Sequence, residues 1–204
     1  MTRIALAMTV LCLAALFGLR PGWFAHAHAQ ARTQAGLDEG RPGENAATLP
    51  GTVREVLGEP RIAGSGTLRW FGLRIYDATL WVGPEDLDPA EPTRQGFALE
   101  LTYARSLSGA SIAERSAEEI ARMGFGEMDR RAQWLDAMRR LFPDVSDGDR
   151  ILGVNRPGAA TRFYLNGRPI GEVDDPAFGP AFFAIWLDPR TVAPGLRNAL
   201  IDRP

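Results

Sequence analysis

Blocks of strand-like sequence followed by blocks of helix-like sequence, without regular alternation of the two, predict an α+β fold: an antiparallel sheet with helices packed on one face. Two stretches carry this expectation. Residues 64–82, GSGTLRWFGLRIYDATLWV, are aromatic, β-branched and almost free of breakers, which reads as one long strand or a kinked pair. In residues 97–103, Phe97, Leu99, Leu101 and Tyr103 alternate with Ala98, Glu100 and Thr102, the pattern of a strand with one buried and one wet face.

The 204-residue chain suits one domain preceded by a targeting segment. Arg3 is followed by the apolar run 4–18, and Ala27-His28-Ala29 closes the stretch with the small-x-small pattern that signal peptidase reads. Residues 1–29 are therefore expected to be a signal peptide cleaved after Ala29, with Ala31 as the alternative position and an uncleaved anchor as the alternative fate. The apolar run is short for a bilayer and no second one follows, so no retained membrane span is expected and the protein is placed in the periplasm or outside the cell. Residues 30–48 are polar, lack apolar periodicity and read as a disordered leader to a domain over 49–204.

Removing the first 29 residues takes away Cys12, His26 and His28, the only cysteine and both histidines, and the chain has no Lys. The mature protein thus has no residues for a Ser-His-Asp or Cys-His nucleophilic site, a thiolate or imidazole metal site, a Schiff base or a lysine phosphate loop. Disulfides are excluded as well. Net charge is −2, and loss of Arg3 and Arg20 with no acids makes it −4, which gives no sign of nucleic-acid binding. No cofactor and no metal is expected.

In chain order, Val53, Val56, Leu57 and Ile62 read as an opening strand or hairpin leading into residues 64–82. Gly83-Pro84 ends that stretch, and an acidic loop over 85–95 follows. Ser111-Ile112-Ala113-Glu114 is a capping box, and the helix after it carries Ile112, Ser116, Ile120 and Met123 on one side and an expected Glu118–Arg122 pair on another. A second helix is predicted over 127–142, with Trp134, Leu135, Met138, Leu141 and Phe142 at helical spacing. Asp144, Asp147 and Asp149 miss the spacing of a calcium loop and read as a turn. Short strands over 151–154 and 162–165 precede Asn166-Gly167, the best hairpin signal in the chain. Asp175-Pro176 has the chemistry to start a helix ending near Trp186, and a last helix is predicted over 194–201.

Strict alternation sets Trp70, Arg74, Tyr76, Ala78 and Leu80 on one face of the long stretch and Arg69, Phe71, Leu73, Ile75, Asp77 and Trp81 on the other. A bulge at Gly72 could bring Arg69 round to Tyr76. An Arg beside a Tyr in an apolar cleft suits a carboxylate, because the guanidinium forks onto two oxygens and the phenol gives a third donor. The competing reading pairs Arg69 and Arg74 with Asp77 or Glu100. Glu119 lies near the apolar side of its helix and is either a desolvated general base or the partner of an Arg.

Taken together and in order, GSGTLRWFGLRIYDATLWV, LTYARSLSGASIAERSAEEIARMG, LFPDVSDGDRILGV, TRFYLNGRPIG and FFAIWLDPRTVAPGLRNALI resemble the chalcone isomerase-like proteins, in particular their exported bacterial branch, over residues 49–201. The resemblance implies an open-faced β-sandwich: a curved antiparallel sheet, a helical layer on one face and a ligand cleft between them. It also implies a loss of flavonoid chemistry. The family's polar positions on the long strand, the first long helix and the C-terminal helix fall at Tyr76, Ile112, Glu119 and near Ile185, and only its arginine has a counterpart, Arg69. The family's fatty-acid-binding branch, where an arginine and a tyrosine hold a carboxylate, is nearer to these residues. The expected ligand is a small apolar acid, with Arg69 and Tyr76 on the head group and Trp70, Leu80, Ile112 and Trp186 among the cleft walls. The alternatives are an isomerase or intramolecular lyase using Arg69 and Tyr76 as electrophiles and Glu119 as base, or an envelope protein acting through a partner.

Overall fold

The long aromatic stretch folds back on itself. β1 (Arg61–Trp70) and β2 (Leu73–Val82) form an antiparallel hairpin closed by Phe71 and Gly72 at φ of 47° and 78°. These are the left-handed values that a two-residue type I′ turn requires. The computed structural model describes Leu49 and residues 51–201. The expected signal segment and leader lie outside the described residues.

β3 (Phe97–Tyr103), β4 (Arg150–Asn155), β5 (Thr161–Leu165) and β6 (Arg168–Val173) continue the sheet in the order β1-β2-β3-β4-β5-β6, every pair antiparallel. Asn166 and Gly167 turn β5 into β6 at φ of 50° and 80°, as their sequence predicts. Two long connections leave the sheet. Between β3 and β4 run α2 (Gly109–Arg122) and α3 (Met128–Leu141), and after β6 come α4 (Phe178–Leu187) and α5 (Pro194–Ile201). This is the predicted α+β architecture, an open antiparallel sheet with a helical layer.

The period-two pattern of the strands decides which side those helices cover. Tyr76, Ala78, Leu80 and Val82 of β2 and Phe97, Leu99, Leu101 and Tyr103 of β3 face the helices, meeting Ile120, Met138, Phe142, Phe182, Phe183 and Leu200. Gly64 and Gly66 on β1 carry no side chain toward α5, so the helix lies directly on the strand. Gly153 on β4 leaves the space that the rings of Phe163 and Phe183 occupy.

Three local expectations are corrected. Val53 and Leu57 belong to a short helix, α1 (Gly51–Leu57), not to an opening strand; with Leu49 it packs on Ala98, Leu152, Val154 and Tyr164, the opposite face of the sheet. The spacing Val53, Val56, Leu57 is i, i+3, i+4, so one helical stripe buries Val53 and Leu57 and half-buries Val56. The cap of α2 lies three residues before the expected one: the Ser108 side chain accepts from the Ser111 N–H, and Glu114 pairs with Arg139 of α3 at 2.8 Å. The Glu118–Arg122 pair is replaced by two others, Arg115 with Glu118 and Arg122 with Glu119.

A further correction concerns the faces of β2. The irregularity that re-aims its side chains is at Ile75, not Gly72: Leu68 pairs with Tyr76 and the next pair is Arg69 with Arg74. Arg74 therefore leaves the Tyr76 face and forms an ion pair with Asp77 on the other. Among the described residues no helix is long and apolar enough to cross a membrane.

Candidate functional site

Tyr76 and Tyr103 are register partners on the helix-facing side of β2 and β3, their rings edge to face with centroids 6.0 Å apart. α4 brings Trp186 to them, and its indole N–H donates to the Tyr76 hydroxyl oxygen at 2.9 Å. That bond occupies a lone pair of Tyr76 and leaves the phenolic proton to be donated elsewhere. α2 runs past the same corner with Ile112, Arg115 and Glu119. Ile112 and Ile185 are half-buried against the same core.

Glu119 is only 4% exposed, and a carboxylate is rarely buried unless paired. Both of its oxygens are taken: Oε1 by the guanidinium of Arg115, Oε2 by Nε of Arg122 at 2.8 Å. Arg122 also donates to the Arg190 carbonyl at 2.9 Å, tying α2 to the loop after α4. Arg115 reaches outward to Glu118 at 3.1 Å, so two arginines and two glutamates balance.

Burial pushes the Tyr76 phenol up to about 12; the indole bond and Arg115 work against the rise, and Glu119 adds to it. Tyr103 is raised as well, by burial and then by Tyr76. A phenol whose folded value lies above its unfolded value near 10 keeps its proton longer in the folded state, so stability is intact below about pH 10 and lost as pH rises through about 12. The chain has no Lys and only three Tyr, so phenols dominate that window. We expect the melting temperature to fall between about pH 10 and 12 and the fall to be shallower in Tyr76→Phe, measured by circular dichroism; equal slopes would contradict the buried phenol.

The structure brings Tyr76, Trp186 and Glu119 together and leaves Arg69 out. Arg69 is exposed, donates to the Gly72 carbonyl at 3.4 Å and lies near enough to Asp77 to help lower its pKa, after the larger effect of Arg74. Trp70 is half-buried at the hairpin end against Phe71, and Leu80 is wholly buried. The cation that acts electrostatically on the Tyr76 phenol is Arg115, held by Glu119, and sequence reasoning passed over it. The signal for it was present: a carboxylate on the buried side of a helix needs partners, and Arg115 and Arg122 stand at i−4 and i+3 from Glu119. A separate depression of about 370 Å³ opens at the other end of β3 from Tyr103, beside α1, lined by Glu55, Val56, Gly96 and Arg156.

With this fold and corner in place, the sequence matches the model of the chalcone isomerase-like family over residues 58–202. The chain belongs to the chalcone isomerase-like family. A search of solved structures places beside this chalcone isomerase-like chain the crystal structure of a fatty-acid-binding protein of Arabidopsis thaliana, with a TM-score of 0.56 and 15% identity over 70% of this chain and 87% of that one. At that identity the likeness is one of fold. No curated protein matches the sequence.

Proposed function

We propose that this chalcone isomerase-like chain is an exported protein that binds a small apolar carboxylic acid and does not perform flavonoid chemistry. The observation that carries the reading is the Tyr76 hydroxyl, fixed by Trp186 with its proton free to donate, beside the Arg115 guanidinium and the apolar side chains Ile112 and Ile185. A ligand carboxylate would accept a hydrogen bond from the neutral phenol, which keeps its proton, and would replace Glu118, whose side chain is 60% exposed, on one edge of Arg115. The local charge balance is unchanged by that exchange. The fatty-acid-binding protein of like fold supports the same class of ligand. Binding is favoured over proton transfer because Glu119, the one carboxylate beside Tyr76, has both oxygens on guanidinium groups.

Mass spectrometry of small molecules extracted from the gently purified protein tests this. The wild type is expected to carry an apolar acid and a Tyr76→Phe, Arg115→Gln double variant to lose it; a wild type that is empty and ignores added fatty acids would refute the reading. Export rests on the pattern of residues 1–29, and the expected intact mass is that of a chain beginning at Gln30. A mass that retains residues 1–29 would contradict it.

A further inference from the structure

The tip of the β1–β2 hairpin is built against its own folding interest. Phe71 stands at φ 47° with Gly72 at 78°, and its side chain is 84% exposed. The same molecule makes the same turn between β5 and β6 with Asn166 at 50° and Gly167 at 80°. Asn tolerates the left-handed region, and the Asn166 amide there accepts from the Arg150 N–H and donates to Asp149; Phe is disfavoured in that region, has no polar group to offer and shows its ring to water. The turn therefore does not ask for Phe. Around it stand Trp70, edge to face on Phe71 at 5.0 Å, and Leu73, 48% exposed.

One residue back on each strand are Arg69 and Arg74, register partners and both exposed. Arg74 is paired with Asp77 and also feels Asp147, while Arg69 has no ion-pair partner within 4 Å among the described residues and donates only to a backbone carbonyl at 3.4 Å, so Arg69 is the cation that the collar leaves available. The tip is convex and two residues wide, too narrow to supply the area that a stable protein interface needs. An aromatic wedge with a Trp beside it and cations set back at headgroup depth fits a fluid interface instead.

We infer that the hairpin tip Trp70-Phe71-Gly72-Leu73 docks into an anionic lipid surface, with Arg69 at the headgroups. The inference stands on the tip alone and does not need the ligand reading. It does place Tyr76, four residues beyond Gly72 and so about 13 Å along the strand, near that surface.

The test is co-sedimentation of the purified exported protein with vesicles of phosphatidylcholine alone or mixed with phosphatidylglycerol. The wild type is expected to partition onto the mixed vesicles, less so as salt is raised. Phe71→Asn should partition at least tenfold more weakly while melting no lower than the wild type, because Asn suits the turn. Arg69→Gln should weaken partition onto mixed vesicles only. A wild type that ignores both vesicles would overturn the inference, as would a Phe71→Asn protein that binds them equally well. Self-association without lipid that disappears in Phe71→Asn would assign the tip to a second copy and overturn it too.

Discussion

Phe182→Ala should lower stability by about 4 kcal/mol, the cost of deleting a buried phenyl and leaving a cavity. Phe182 is 6% exposed and its ring centroid lies within 6.0 Å of those of Phe142, Phe163, Phe178, Phe183 and Trp186. It sits in a cluster of rings that joins the end of α3, β5 and α4. The neighbouring rings are themselves pinned by backbone on three elements, so they cannot collapse into the space. For a chain of this size the melting temperature should drop by roughly 12 °C. The effect reaches the functional corner, because Phe182 is the edge-to-face support of Trp186, which in turn aims Tyr76. Near-ultraviolet circular dichroism should lose tryptophan signal below the unfolding transition. A loss under about 1 kcal/mol would mean that the ring cluster is not the centre of the core.

Gly64→Val should destabilise the fold by about 3 kcal/mol, the upper end of what overpacking costs. The expected size follows from what an added Cβ meets: the Leu200 carbonyl oxygen at 2.5 Å and its carbon at 2.8 Å, both backbone. A flexible side chain could swing away, but a helical carbonyl can move only with its helix. Two residues on, a Cβ at Gly66 would meet Leu196 Cδ1 at 2.8 Å and Ala199 Cβ at 2.9 Å, so α5 is seated on a strip of β1 that has no side chains. Urea denaturation should show a lower midpoint with an unchanged slope. An unchanged midpoint would show that α5 does not rest on β1.

Most of the sheet and the helices after it could be read from the sequence because their signals are redundant. Residues 97–103 alternate cleanly, Asn166-Gly167 has the turn chemistry of its φ angles, and α5 (Pro194–Ile201) begins at the Pro that predicts it. What was not legible has a physical reason in each case. Seven residues of α1 give one helical repeat of Val53, Val56 and Leu57, too little to outweigh their β-branched composition. The hairpin at Phe71-Gly72 lacks the Asn-Gly or Asp-Gly signal, since Phe occupies the position that the turn would give to Asn.

The functional corner was legible in part. Tyr76, Trp186, Ile112 and Glu119 are readable as half of a cleft, but which cation joins them depends on a single extra residue. The irregularity at Ile75 sends Arg74 to Asp77, and alternation from Thr67, which donates to Asp77 at 2.6 Å, keeps Arg69 on that outer side. No composition rule places such a shift. Arg115 then becomes the cation of the site through its helix neighbour Glu119.

The pairing of Tyr76 with Arg115 rather than Arg69 is tested most directly by calorimetric titration of dodecanoic acid into the wild type, Tyr76→Phe, Arg115→Gln and Arg69→Leu. Loss of a charge-assisted hydrogen bond is worth about 1.5–3 kcal/mol, so Tyr76→Phe and Arg115→Gln should each bind at least tenfold more weakly, with Arg69→Leu unchanged. Weakening by Arg69→Leu with Arg115→Gln unaffected, or a wild type that takes up no acid, would contradict the account.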